Sequence, residues 1–297
     1  MVIVVITGAS VNGLGAHTAI ALAKSQPPPA RLILLGRSAS KVQPVIDNIK
    51  SIDSAIHADF VSIFQDNPAS VRKAAEEILS GLGNSGKIDI LVNNAGIMAA
   101  PYSKTEEGIE SQFATNHVGH FQLTKSLFPA IKAAGPQARI INLSSVGYKI
   151  SPVRLDDYNF GDGSNYNRWS GYGQSKTANI LFTKGLAARG VTSLAVNPGT
   201  IMTTNLATGL EMSDFGEIDG VARKNTGSGF EVDPPKTVEQ GISTTVVAVV
   251  DPRIASQSGS YLNNCQIEDV RDYAKDPAQV QKLWELSEQL IGEKFEI

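Results

Sequence analysis

Cysteine is all but missing from this sequence: Cys265 stands alone among 297 residues. No intramolecular disulfide is possible, and a solitary thiol reads as a small packed hydrophobe rather than half of a redox pair. Long apolar runs are missing as well. No stretch reaches eighteen apolar residues, and no basic-then-apolar leader precedes Val2. The expectation is therefore a cytoplasmic protein with no membrane partner. Neither sign of charge dominates, with 26 Lys and Arg against 29 Asp and Glu, a net charge of −3. That balance gives no basic field for nucleic acid. Histidine is scarce, and the four present show no metal-ligand spacing, so no metal is expected. A hydrophobic fraction of 42% and a charged fraction of 19% describe an ordinary soluble globular chain, long enough for one large α/β domain.

What is present begins at once. Val2 to Ile6 is an unbroken apolar run, the mark of a strand buried on both faces of a parallel sheet. Gly8, Gly13 and Gly15 follow, then a helical run from Ala16 to Lys24. A strand, a glycine turn and a helix start together form a phosphate cradle. Bare backbone can approach a pyrophosphate there, and the free amides of the helix start point at it with the positive end of the dipole.

The same alternation runs down the chain. Pro27-Pro28-Pro29 stops the first helix, and Arg31 to Leu35 is the second strand, ending at Gly36-Arg37. Ser38 or Ser40 caps a helix reaching about Ile52. Ile56 to Val61 is a short strand, and Asn67-Pro68 opens a helix to about Leu82. Ile88 to Val92 is an apolar strand ending in Asn93-Asn94-Ala95-Gly96. Ser103-Lys-Thr-Glu106 has the pattern of a capping box, expected to start a long helix containing Asn116. Ala138 to Leu143 is a strand ending in Ser144-Ser145, followed by a polar loop over 147–171. A helix from Tyr172 to Arg189, a strand from Val191 to Val196 and the turn Asn197-Pro198-Gly199 come next. Residues 204–235 read as irregular and mobile, Thr237 to Val249 as helix, Gly259 to Leu262 as a short strand and 277–291 as a terminal helix. Strands alternating with helices predict a doubly wound parallel sheet flanked by helices, in a single domain.

One pair carries chemistry. Tyr172 and Lys176 stand at i and i+4, neighbours on one helical face. A nearby ammonium favours phenolate, which would lower the tyrosine pKa and suit it to proton transfer near neutral pH. The spacing alone is common; its weight comes from Ser145 at the end of a buried strand upstream.

Taken with the glycine turn, the Asn93-Asn94-Ala95-Gly96 strand end, Asn116 and Pro198-Gly199-Thr200-Ile201-Met202-Thr203, the chain resembles the short-chain dehydrogenases/reductases over nearly its whole length. The stretches TEEGIESQFATNHVGHFQLT, YGQSKTANILFTKGL and SGSYLNNC are most similar to retinol-dehydrogenase-like and fungal-type carbonyl reductases. Many of those retinol enzymes carry an N-terminal membrane anchor, which is not seen here. The resemblance implies a Rossmann-type fold and hydride transfer between a nicotinamide cofactor and a carbonyl or alcohol. It implies a tetrad of Asn116, Ser145, Tyr172 and Lys176. Tyr172 would be the general acid, Ser145 would polarise the carbonyl oxygen, Lys176 would hold the ribose and Asn116 would seat a relay water. Ser144 is the rival of Ser145.

For the cofactor, the resemblance implies Gly8, Ser10, Gly13, Leu14 and Gly15 at the pyrophosphate. Asp59 and Phe60 would flank the adenine, with Asn93, Ala95 and Gly96 on the ribose side. Pro198, Gly199, Ile201 and Thr203 would lie at the nicotinamide end, beside Tyr172 and Lys176. No acid closes the second strand, where an NAD-dependent chain places one. Arg37, with Ser38 and Lys41, suits the 2′-phosphate of NADP(H) instead. Residues 1–145 would mainly bind cofactor, with 146–171 and 204–230 covering the substrate site. Two departures stand out. Four residues, not the family's usual three, separate Gly8 from Gly13, and Ser145 and Tyr172 lie 27 positions apart, about twice the common spacing. The expected assembly is monomer or homodimer. The rival functions are an enoyl reductase and a catalytically silent NADP-binding regulator.

Overall fold

A computed structural model describes residues 2–207, 210 and 212–297. Eight strands form one sheet in the order β3-β2-β1-β4-β5-β6-β7-β8. They are β1 Ile3–Thr7, β2 Arg31–Gly36, β3 His57–Ser62, β4 Ile90–Asn93, β5 Arg139–Leu143, β6 Ser193–Asn197, β7 Tyr261–Asn263 and β8 Gln266–Glu268. Every neighbouring pair is parallel except β7 and β8. The apolar runs are explained by this burial: β1, β4, β5 and β6 are buried along their whole length.

Helices α1 Leu14–Ala23, α2 Ala39–Ile52 and α8 Val238–Val250 close one face of the sheet. The other is covered by α3 Pro68–Gly81, the helical stretch α4 Ser111–Phe113 and α5 Gly119–Ala133, α6 Arg168–Ala187 and α9 Pro277–Ile291. On that face the aromatic rings of Phe121, Phe182, Trp284 and Phe295 bind α9 to α5 and α6. The strand order reverses at β1, which lies between β2 and β4. A crevice opens at such a reversal beyond the carboxyl ends of the strands. Among the described residues, no helix is long and apolar enough to cross a membrane.

Several elements depart from the sequence expectation. The long helix starts at Ser111, not at Ser103: Gly108 has φ +78°, and the buried Glu110 carboxylate caps the helix by accepting from Gln112 and Phe113 N–H. Helix α6 starts at Arg168, one turn before Tyr172, because Asn167 caps it. Residues 204–235 are not irregular throughout, since α7 Ile218–Thr226 lies within them; residues 208, 209 and 211 of the expected 204–230 cover lie outside the described residues. The edge strand β8 was not expected. The 146–171 segment packs partly on itself, with the buried Phe160 edge-on against Tyr166 and under Arg154. It packs partly on the rest of the chain: Tyr158 stacks on Phe113, Tyr148 packs on Tyr261, and the Tyr166 hydroxyl donates to the Ala100 carbonyl at 2.7 Å.

Candidate active site

The extra residue of the glycine turn is absorbed at Val11 and Asn12. Asn12 takes the left-handed conformation (φ +64°), and the Gly13 N–H closes the loop on the Ser10 carbonyl at 2.9 Å. Val11 N–H reaches the Lys41 carbonyl at 2.8 Å, which ties the turn to the start of α2. Two glycines are needed for contact. A Cβ on Gly8 would stand 2.8 Å from the Ala95 Cα, and one on Gly15 would stand 2.6 Å from Asn94 Nδ2. Gly13 is the N-cap of α1 and Leu14 its first residue, so the helix start faces the turn.

Of the Asn93-Asn94-Ala95-Gly96 stretch, the second residue grips the turn. Asn94 Nδ2 donates to the Thr7 carbonyl at 2.7 Å and to that of Gly8 at 3.2 Å. The Asn93 side chain instead faces the interior, donating to Thr124 and Asn142. Ala95 packs on Gly8, and Gly96 lies against Asn116 Oδ1 and Lys176 Nζ.

Arg37 follows directly on β2 and is exposed, with Ser38 and Lys41 beside it at the start of α2. Ser38 sits at the N-cap but its hydroxyl bonds that of Ser40 at 2.9 Å rather than capping the helix. Neither Arg37 nor Lys41 has an ionic partner among the described residues. Asp59 and Phe60 are not at the strand end. They lie inside β3, where the Asp59 carboxylate accepts from Arg31 at 2.7 Å and pairs with His57 at 2.9 Å. The phenyl ring of Phe60 packs on the core beneath α2. The carboxyl end of β3 belongs to Ser62 and Ile63 instead.

Four polar residues converge beyond β5. Ser145 is the cap of a 3₁₀ turn, Val146–Ile150, and its hydroxyl accepts from Gly147 N–H at 3.0 Å. It also hydrogen-bonds the Tyr172 phenol. Ser144 points the other way, donating to the Lys176 carbonyl at 2.8 Å. Gly147 is what admits the ring, since a Cβ there would stand 2.6 Å from Tyr172 Cε1. Lys176 Nζ lies 5.6 Å from the centre of that ring and donates to the Leu143 carbonyl at 3.3 Å. The Asn116 amide is tied to protein groups: Oδ1 accepts from Ile97 N–H at 2.8 Å, and Nδ2 donates to the Ile97 carbonyl and to Ser175 Oγ, each at 2.9 Å. A π-turn, Ala114–Val118, carries Asn116 between α4 and α5.

Burial reverses one electrostatic expectation. The Tyr172 phenol is pushed up to about 12 by desolvation, which outweighs its bond from Ser145. The Lys176 ammonium is pulled down to about 8 by the same cause. With both groups almost fully enclosed, low dielectric disfavours each charged form more than the i, i+4 pairing favours it. Tyr172 is therefore a neutral, proton-bearing phenol.

On the nicotinamide side of the expected site, Gly199 takes φ +81° and its N–H donates to Asn197 Oδ1 at 3.0 Å. Pro198 and Ile201 pack over Gly241 of α8, while Thr203 is exposed. A cavity of about 560 Å³ opens beside Val146, lined among others by Lys149, Asp219, Arg223, Phe230 and Arg271. Sequence reasoning missed Thr7, Asn94, Gly147 and Asn197, whose parts appear only when distant strand ends meet.

Known proteins resemble this chain in sequence and fold. The short chain dehydrogenase family matches residues 2–159. Mouse retinol dehydrogenase 12 is 32% identical over 298 residues, covering 99% of this chain and 87% of its own length. A crystal structure of an uncharacterised protein from Mycobacterium paratuberculosis superposes with a TM-score of 0.66 at 30% identity, covering 100% of this chain and 96% of that one. The NADPH-bound carbonyl reductase of chicken fatty liver shares the fold, with a TM-score of 0.62 at 21% identity over 90% of this chain and 98% of its own. By sequence and by fold, this chain belongs to the short chain dehydrogenase family of oxidoreductases.

Proposed function

We propose that the chain is an NADP(H)-dependent reductase of ketones or aldehydes, or the corresponding alcohol dehydrogenase. The observation that carries this reading is the enclosed, protonated Tyr172 phenol bonded to Ser145, with Lys176 beside it. A dinucleotide fits the residues present. Side-chain-free backbone at Gly8 and Gly15 faces a helix start, and the exposed Arg37 and Lys41 offer two unpaired cations where a 2′-phosphate would lie. When bound, the nicotinamide supplies or accepts the hydride.

The chain's own residues do the rest. The Tyr172 hydroxyl gives its proton to the substrate oxygen, and Ser145 Oγ donates a hydrogen bond where negative charge gathers on that oxygen. Lys176 stabilises the phenolate left behind. Asn116 works by fixing Ile97 and Ser175, and so the wall of the site that holds Lys176. The rival enoyl reductase is disfavoured by the spacing of Tyr172 and Lys176, one helical turn apart. The NADP-binding regulator is disfavoured by the presence of all four polar groups. A panel of ketones, aldehydes and quinones with NADPH and NADH tests the proposal. Turnover of at least one carbonyl with NADPH is expected; tight NADPH binding with no turnover on any of them would favour the regulator.

A further inference from the structure

His120 is buried in α5 and belongs to none of the groups above. Its Nδ1 lies 3.0 Å from the Asn116 carbonyl, and its Nε2 lies 2.9 Å from Thr7 Oγ1. Hydrogen counting fixes the tautomer. A carbonyl only accepts, so Nδ1 carries the proton. Thr7 Oγ1 already accepts from the N–H groups of Asn94 and Ala95, both at 2.9 Å. Its lone pairs are thereby used, and its single hydrogen goes to His120 Nε2; the alternative, the Val92 carbonyl, is distant at 3.5 Å. A continuous chain of bonds therefore runs from the strand end at 94–95 through Thr7 and His120 to Asn116.

We propose that His120 is a positioning residue. Held as the neutral Nδ1–H tautomer, it locks the end of β1, where the glycine turn begins, to the π-turn that carries Asn116. The other hydrogen-bonded route between the two halves runs through the 94–97 segment, from Asn94 on Thr7 and Gly8 to Ile97 on Asn116; His120 joins them directly. Asn94 clamps the turn from the Thr7 side, and Asn116 sets Ile97 and Ser175 on the other. The neutral state is consistent with its surroundings: desolvation, together with the nearby Lys176 charge, holds His120 down at about 4 despite its bond to Asn116. An imidazolium there would oppose Lys176. This inference rests on the proposed dehydrogenase site for its kinetic consequence, but its geometry can be tested without turnover.

Two measurements decide it. Selective ¹⁵N-histidine labelling, with His120 assigned by its loss in His120→Phe, should show a protonated Nδ1 and an unprotonated Nε2 across neutral pH, in the absence of any carbonyl substrate. In kinetics, His120→Phe and Thr7→Val should each lower kcat by about 10- to 100-fold, the scale of a misplacement of about 1 Å. KM for the carbonyl should stay within about threefold, the signature of an interaction made only in the transition state. Thr7→Ser, which keeps the hydroxyl, should restore kcat. Rates are taken per cofactor-binding molecule, so a variant that merely folds less well shows an unchanged kcat and overturns the proposal. An Nε2–H tautomer, or an imidazole that titrates near neutral pH, overturns it too. Wild-type protein inert toward every carbonyl would remove the functional reading while the NMR result still decides the tautomer lock.

Discussion

Gly147→Ala tests the geometry at the centre of the site. The new methyl would stand 2.6 Å from Tyr172 Cε1, 3.0 Å from Cδ1 and 3.3 Å from Ser145 Oγ. Favourable carbon–carbon contact lies at about 3.5–4.0 Å, so the ring must retreat by roughly 1 Å. It has little room, because Tyr172 is only 5% exposed. Overpacking of this kind costs about 1–3 kcal/mol of stability, and a misplacement of about 1 Å at a reacting group costs about 10²-fold in rate. The variant should therefore stay folded and bind NADPH with nearly wild-type affinity, while kcat falls by about two orders of magnitude. Steady-state kinetics, cofactor fluorescence titration and thermal melting separate these effects. Wild-type kcat in the folded variant would refute the placement of the phenol against Ser145 and Gly147.

Arg37→Ala should weaken NADPH by about ten- to a hundredfold, the value of one charge-assisted contact of about 1.5–3 kcal/mol, and leave NADH nearly untouched; equal weakening of both in titration would remove Arg37 from the 2′-phosphate. For Lys176, folding lowers the pKa from 10.5 to about 8. The unfolded chain then binds more protons between those values, so stability rises as pH climbs through that window and the penalty is fully present below it. Lys176→Met should accordingly stabilise the cofactor-free protein at pH 7, by up to on the order of 3 kcal/mol, flatten the alkaline rise in Tm, and abolish turnover. A loss of stability at pH 7 would contradict the desolvation argument.

The sheet and the glycine turn were legible because their signals are local. Apolar runs of strand length and glycines between strand and helix need no distant partner to be read. The four polar residues were singled out through their order along the chain, and the structure brings Ser145, Tyr172 and Lys176 together beside Asn116. What escaped depends on contacts across the sequence. The resemblance sets Asp59 beside the adenine, and only the alignment of β2 and β3 shows that Arg31 takes its carboxylate. The false capping box at Ser103 has the right letters, but the backbone reverses at Gly108 before a helix can start. Helix α7 has only Ile218 and Ala222 buried, too few apolar positions to declare a period. The tyrosine–lysine spacing shows that the two groups meet but not that both are buried, and burial sets their pKa values. His120 acts through Thr7, 113 residues away, and no local pattern could have paired them.

Tyr172→Phe is the most direct test of the central claim. It removes one hydroxyl from a ring that already packs as a phenyl, so fold and NADPH affinity should be kept. Loss of the general acid should lower kcat by about 10² to 10⁴, measured from NADPH oxidation with whichever carbonyl the wild type reduces. A Phe variant that binds NADPH and turns over at the wild-type rate would show that the proton comes from elsewhere.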